Sequence, residues 1–336
     1  MKALITGASG FIGTHLATAL SNQGHQVRCL VRRSSRTDQL SAVGAELVYG
    51  DVTDPASVTA AVRGVDAVFH LAGLVKALTY EELLRVNEDG TRHVAHACAE
   101  QGQPPVMVLV SSLAAAGPSA IDRPRLESDP VEPVSNYGRS KRAGELAALA
   151  FADRMPLTIV RPPVVFGEGD LSMLSMFRPI KLLRLHLVPG FTERRASMIH
   201  AADLVAGLIK AAERGERIEP GQAANSAHGY YFLAAERNPT FAEWGQLIAR
   251  SLGCRRLRVV RAPEVLGWGL AGLNEAWARV RRRPHIFNID KLREATAGSW
   301  VCGADRAREQ LGFSVAANLE QRFAQTTRWY RNHGLI

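Results

Sequence analysis

Cysteine is scarce in this chain. Four occur in 336 residues, Cys29, Cys98, Cys254 and Cys302, and they are scattered. There is no CxxC pair and no Cys/His cluster. That spacing argues against a zinc site and against a disulfide framework, so no bound metal is expected. Thiols without a framework fit a reducing compartment, and a cytoplasmic location is expected. No uninterrupted apolar run approaches the ~20 residues that a bilayer-spanning helix needs. The opening MKALITGASG carries one lysine and a short apolar run, but glycines stand where a signal peptide would continue its apolar core. We read it as a first strand. Internal repeats and low-complexity tracts are also missing.

What is present is ordinary for a globular chain: 46% apolar and 22% charged residues. The length suggests one large unit or about two domains. The net charge of +9 is uneven. Residues 251–300 hold ten basic side chains against four acidic ones. Such a patch could meet nucleic acid, anionic lipid or a phosphorylated ligand, although a solvated face is the commonest case. No aromatic stacking positions interleave it and no nucleic-acid module is recognisable, so nucleic acid is not an expected partner.

The first half of the chain alternates. KALIT, HQVRCLV, AELVYG, DAVFHLA and PVMVLVSS read as strands, and helical spacing lies between them, over 11–23, 54–63 and 80–101. The fifth of these strands is apolar throughout, as a strand buried on both faces should be. Strand and helix in alternation predict a doubly wound α/β fold of the Rossmann type, with a parallel sheet between helices. The dinucleotide-binding domain is expected over 1–165, with additions from about 195–235. A smaller, mostly helical C-terminal substrate lobe is expected from 166–195 and 236–336, with helices at 241–252 and 305–311.

The first strand runs into TGASGFIG. Gly7 gives a tight turn its backbone freedom, and bare backbone lets a diphosphate approach the N–H groups. The following helix presents its positive end to the phosphates, and Gly13 lets it pack close to the strand. Three glycines alone are a weak signal, but their place between a first strand and a first helix makes a dinucleotide loop. Its contacts are expected from Gly7, Ser9, Gly10, Phe11, Ile12 and Gly13. The second strand ends CLVRRSSR, with no acid at its tip to hold ribose hydroxyls. Arg32 and Arg33 stand there instead, and arginine suits a 2′-phosphate. The sequence therefore favours NADP over NAD.

PVSNYGRSKRAGE places Tyr137 and Lys141 four apart, on one face of a helix. Together with TGASGFIG, this YGRSK resembles the extended short-chain dehydrogenase/reductase family, also called the NAD-dependent epimerase/dehydratase family. The resemblance spans the chain and is strongest over residues 1–205. Further landmarks follow in the family's order. Asp51 and Val52 resemble the pair bordering the adenine. HLAG, with Leu71, Ala72 and Gly73, resembles the segment lying along the cofactor. Pro163 and Val164 of RPPVVFG resemble the loop beside the nicotinamide. The resemblance implies that Tyr137 exchanges a proton with a substrate oxygen and that Ser112 holds that oxygen. Lys141 would lower the tyrosine pKa and bond the nicotinamide ribose. Asn87 would relay protons or fix local geometry. His70 and His200 are read as structural. The family also implies a homodimer built from 80–101 and 137–152.

Two activities within the family compete. Sugar-nucleotide members often carry R-x-x-N, whereas Arg161 here leads to Val164. Leu113, Ala114, Ala115 and Ala116 follow Ser112, and such an apolar wall would leave sugar hydroxyls unpaired. The expected activity is therefore interconversion of a ketone and a secondary alcohol on a bulky hydrophobic substrate, as in the dihydroflavonol-reductase-like and 3β-hydroxysteroid-dehydrogenase-like branch. A nucleotide-sugar epimerase or dehydratase with tightly held NAD is the alternative. A non-catalytic dinucleotide sensor is a third reading, against which stand Ser112, Tyr137 and Lys141. Residues 263–283 carry apolar bulk followed by arginines, and three arrangements fit: a helix on a membrane surface, a flap over the substrate, or a helix packed on the core.

Overall fold

The structure, a computed structural model, describes residues 1–120, 123–222, 226–285 and 288–336. The chain opens as β1 (Lys2–Thr6), α1 (Phe11–Asn22), β2 (Gln26–Val31), α2 (Asp38–Ala42), β3 (Glu46–Tyr49), α3 (Pro55–Val62) and β4 (Ala67–His70). Helix α3 starts as its sequence dictates: Asp54 caps it and Pro55 fills the first turn, where a missing N–H costs nothing. Next come α4 (Tyr80–Leu84), a π-turn (Arg85–Asp89) and α5 (Gly90–Ala99). The helix expected over 80–101 is thus interrupted at Asn87 by a π-turn, a feature frequent at functional sites. Then follow β5 (Val106–Val110), α6 (Leu113–Ala116), α7 (Asn136–Leu149) and β6 (Leu157–Val160).

The remainder forms β7 (Val164–Phe166), α8 (Leu174–Leu183), β8 (Leu185–Pro189), β9 (Met198–His200), α9 (Ala201–Arg214), β10 (Tyr230–Tyr231), α10 (Phe241–Ser251), β11 (Arg258–Ala262), α11 (Glu264–Arg281), α12 (Ile289–Thr296), α13 (Asp305–Leu311) and α14 (Leu319–Asn332). Seven strands make one parallel sheet in the order β10-β6-β5-β4-β1-β2-β3. The order reverses at β1, the switch point at which a doubly wound sheet offers a binding crevice at the carboxyl ends of its strands. Alternate residues of β1 feed opposite faces. Ala3 and Ile5 join the core under α1 and α9, while Leu4 joins the core under α3 and α5. A third core binds α8, α10 and α14, where Phe166 and Phe323 stack at 4.4 Å. Two small parallel sheets, β7 with β9 and β8 with β11, add strand to this mostly helical part. Helices α10 and α14 both begin in capping boxes, Thr240 with Glu243 and Asn318 with Gln321.

Candidate active site

The glycine loop follows β1 directly. Gly7 has φ +72°, and a Cβ there would meet the Ala72 backbone N at 2.7 Å. A Cβ on Gly13 would stand 2.3 Å from the Gly7 carbonyl oxygen. Bare backbone is therefore obligatory at both positions. Gly10 begins α1, no side chain caps this end, and no acid lies in its first turn. Ser9 and Gly10 are exposed, and Phe11 and Ile12 are half-buried. An uncapped, acid-free helix start behind a bare turn is a ready anion seat. These residues fit a dinucleotide diphosphate. The HLAG segment joins them: Leu71 N–H donates to the Thr6 carbonyl at 3.1 Å. A Cβ on Gly73 would meet Asn87 Oδ1 at 3.0 Å and Lys141 Nζ at 3.6 Å.

A directed chain of hydrogen bonds fixes this segment. Thr91 Oγ1 donates to the Asn87 carbonyl at 2.8 Å, so it accepts from His70 Nε2–H at 3.0 Å. His70 Nδ1 then accepts from Thr6 Oγ1 at 2.6 Å, and Thr6 Oγ1 accepts from Ala72 N–H at 3.3 Å. Burial, with the Lys141 charge, takes His70 down to about 3, so the ring stays neutral. Asn87 is held as well. Its Oδ1 accepts from Leu74 N–H at 2.8 Å, and its Nδ2 donates to the Leu74 carbonyl at 2.9 Å and to Ser140 Oγ at 2.8 Å. All this fixes the turn after Gly73, with both hydrogens of the Asn87 side-chain amide engaged.

Ser112 and Tyr137 are brought together, close enough for the serine hydroxyl to pull the Tyr137 pKa down against burial. Ser111 points elsewhere, donating to Glu145 Oε1 at 2.5 Å. Ser135 starts α7 by accepting from Gly138 N–H at 2.9 Å, and Gly138 is bare because a Cβ would stand 2.3 Å from the Ala114 carbonyl oxygen. Lys141 is buried and donates to the Val110 carbonyl at 2.9 Å. Desolvation pulls its pKa down to about 8 against the pull of Glu145. The expected lowering of the Tyr137 pKa by Lys141 is not what the structure shows. Burial holds the phenol above its ordinary range, against the lowering influence of the Ser112 hydroxyl and the charge of Lys291. The cation over the ring is Lys291, with Nζ 5.8 Å from its centroid, while Lys141 is turned toward the Val110 carbonyl.

A cavity of ≈ 270 Å³ opens beside Tyr137. Val75, Ala77, Leu78, Leu83 and Ile289 give it an apolar lining, and Lys76, Arg279, Lys291 and Arg293 give it basic edges. Leu113, Ala114, Ala115 and Ala116 do not line it. They are buried, with Leu113 and Ala116 in the main core, so the expected apolar substrate wall lies behind the site.

A second recess, near the ends of β2 and β3, is lined by Arg32, Arg33, Tyr49, Gly50, Asp51 and Asp54. Both acids are engaged. Asp51 Oδ1 accepts from the Thr53 N–H and hydroxyl at 2.9 Å, and Asp54 caps α3. Both arginines are exposed, and Arg33 lies 5.7 Å from the Tyr49 ring centroid. Val52 is buried against Gly90, where a Cβ would come within 2.9 Å of it.

Comparison with known proteins decides the family. The model of the NAD dependent epimerase/dehydratase family matches residues 3–227. The chain belongs to that family. It is 33% identical to a ceramide reductase from Caulobacter vibrioides over 336 residues, 99% of this chain and 95% of the relative. It is 28% identical to sterol demethylase protein B from Methylococcus capsulatus over all of both chains. The solved UDP-glucose 4-epimerase from Thermotoga maritima matches with TM-score 0.76 at 20% identity over 99% of both chains, a likeness of fold. Relatives within it are named reductases and dehydrogenases, and the chain is an NAD(P)-dependent oxidoreductase of the extended short-chain dehydrogenase/reductase type.

Within this family member, several neighbours of Tyr137 come from far along the chain. Asp290 accepts from the backbone N–H groups of Asn136 at 2.7 Å and Tyr137 at 3.1 Å, and Glu294 accepts from Ser135 Oγ at 2.6 Å. Nothing in local spacing could have flagged them. Arg161 of the RPPVVFG motif is buried against Glu145, with Nε···Oε1 2.8 Å and Nη2···Oε2 2.6 Å, and it lies over Tyr230. Pro163 and Val164 are half-buried, and Val164 is fixed by pairing with Met198. His200 itself caps α9 through the Ala202 N–H. Asp203, in the first turn of α9, pairs with Arg322. Both histidines are thus used structurally.

Proposed function

We propose that the chain is an NADPH-dependent ketoreductase for a hydrophobic, lipid-type ketone. The pairing of Ser112 with Tyr137, the tyrosine lining a cavity with apolar walls, carries this reading. The similarity along the whole chain to a ceramide reductase supports the substrate class. Gly7, Ser9, Gly10, Phe11, Ile12 and Gly13 would hold the diphosphate, and Asp51 and Val52 would border the adenine. Arg32 would take the 2′-phosphate, Leu71, Ala72 and Gly73 would lie along the cofactor, and Pro163 and Val164 would flank the nicotinamide. The bound dinucleotide supplies hydride to the carbonyl carbon. Tyr137 gives its proton to the carbonyl oxygen; its raised pKa keeps the phenol protonated beforehand, at the cost of a weaker acid than a free tyrosine. Ser112 steadies that oxygen by a hydrogen bond. Lys141 binds the ribose and compensates charge as the phenol loses its proton. Asn87 keeps the 73–74 turn in place.

The test is consumption of NADPH by the purified protein with long-chain ketones, and with UDP-sugars in parallel. Tyr137→Phe should cut turnover by about 10²–10⁴ and leave the cofactor Kd nearly unchanged. Sugar epimerisation without net cofactor oxidation would overturn the reductase reading, and equal loss of cofactor binding would overturn the role of Tyr137.

A further inference from the structure

Helix α11 is inside out. Val265, Leu266, Leu270, Leu273, Trp277 and Val280 are 57–78% exposed. At 100° per residue these six fall on one arc of the helix. The opposite side carries small residues: Ala271 and Ala278 are buried, and Gly267 lies against Leu292 of α12. Small inner residues let the helix lie flat on the protein, and its bulk is left facing outward. Exposed apolar side chains also stand on the strand that leads into the helix and on its partner. Leu187 of β8 and Val260 of β11 are register partners and both exposed. Phe191, also exposed, is tied to this region because its carbonyl accepts from Arg261 at 2.9 Å. Exposed apolar side chains gathered on one helix face, on the strand that precedes it in sequence and on that strand's partner mark an interaction surface.

The charges say what covers it. Residues 254–285 hold eight arginines and two acids. Both acids are paired, Glu264 with Arg194 at 2.7 Å and Glu275 with Arg279 at 2.8 Å. Arg281, Arg282 and Arg283 are exposed at the end of the apolar stripe, Arg255 and Arg256 are exposed just before β11, and Arg258 is exposed at its start. A second copy meeting it face to face would bring the same arginines, and both acids of 254–285 are already paired. An anionic lipid surface offers acyl chains for the stripe and negative headgroups for its flanks. No helix among the described residues is long and apolar enough to cross a membrane.

We propose that the outer face of α11, with the exposed strand face beside it, docks this protein on an anionic membrane. The inner side of the same helix contributes Glu275, Ala278 and Arg279 to the cavity beside Tyr137. Docking therefore sets that cavity one helix away from the lipid. The surface proposal stands on exposure and charge and does not depend on the ketoreductase reading.

Vesicle flotation of the full chain tests it, with phosphatidylcholine alone and with phosphatidylcholine plus phosphatidylglycerol. The protein should float with the anionic vesicles, weakly with neutral ones, and less as salt rises. Leu270→Glu with Trp277→Glu should reduce the bound fraction at least about tenfold, and so should Arg282→Glu with Arg283→Glu. These side chains are exposed, so unchanged thermal melts should show that the variants fold. Brominated lipid should quench tryptophan fluorescence, and Trp277→Phe should remove most of that quenching. Absence of flotation with anionic vesicles overturns the proposal, as does binding indifferent to these substitutions. A stable dimer in solution that Leu270→Glu dissociates also overturns it, because the face would then belong to a second copy.

Discussion

Asp290 holds the backbone of Tyr137. Its Oδ2 accepts from the Tyr137 N–H at 3.1 Å, and its Oδ1 accepts from the Asn136 N–H at 2.7 Å. A carboxylate on α12 thus satisfies and neutralises the positive end of α7. The same helix supplies Lys291 over the tyrosine ring and Glu294 to Ser135. The position of the candidate acid and the closing of its cavity are therefore set by one late helix.

Replacing Asp290 should separate these effects. Asp290→Ala removes a cap-type acceptor and should cost about 0.5–2 kcal/mol. Turnover should fall because Tyr137 is no longer placed, while the cofactor Kd stays within about twofold, since no glycine-loop contact involves Asp290. Asp290→Asn keeps one acceptor oxygen and should lie between. Denaturation, steady-state kinetics and cofactor titration measure the three. A cofactor Kd that weakens as much as turnover would show general unfolding and not misplacement.

Lys141 should make itself felt above neutral pH. Its folded pKa of about 8 lies below the ordinary 10.5. Below about pH 8 the ammonium is charged in both the folded and unfolded states, and its burial is a full cost. Between about 8 and 10.5 only the unfolded chain binds the proton, so this group's contribution to stability becomes more favourable as pH rises. Lys141→Met should therefore raise stability at neutral pH, flatten that pH dependence, and abolish activity. The wild-type kcat/KM for the free enzyme should decline as pH climbs through about 8. A melting temperature that drops in Lys141→Met would show that the bond to the Val110 carbonyl outweighs desolvation.

Arg32 should decide between the two dinucleotides. It stands exposed at the end of β2, in a recess whose two acids are already engaged. A charge-assisted hydrogen bond is worth about 1.5–3 kcal/mol, so Arg32→Ala should weaken NADPH binding by roughly 10–100-fold. NADH, which lacks the 2′-phosphate, should bind almost as before. Fluorescence titration with both cofactors reads this directly. Equal weakening for both would assign Arg32 to the adenine or the diphosphate.

Much of this architecture is legible along the chain. The apolar run of β5 and the glycine loop between β1 and α1 are local features, and each announces itself by period or by obligatory bare backbone. The helix expected over 241–252 is found as Phe241–Ser251, because its capping box is written in adjacent residues. What failed to show was long-range. Asp290 meets Tyr137 across 153 positions. Leu113 to Ala116 look like a pocket wall, yet they turn into the core because α6 is pressed against α7 at Gly138. The spacing of Tyr137 and Lys141 gives a shared helix face, but it does not say that the ammonium turns to the Val110 carbonyl.

The buried pair Glu145–Arg161 should be costly to break on one side and cheap to remove entirely. Glu145 Oε1 accepts from Ser111 and from Arg161 Nε, and its Oε2 accepts from Arg142 and Arg161 Nη2. Burial opposes the ionised carboxylate, but the Arg161 charge wins and holds it below its usual range. Arg161→Met leaves that carboxylate buried without its main partner and should cost about 3–5 kcal/mol. Arg161→Met with Glu145→Leu removes both charges and should recover part of the loss, with Ser111 left to find another acceptor. Urea unfolding of the three proteins gives the coupling. Glu145 also raises the Lys141 pKa. Glu145→Gln should therefore move the alkaline decline of kcat/KM to lower pH. A decline that stays in place would mean that Lys141 is not the group whose deprotonation limits the reaction.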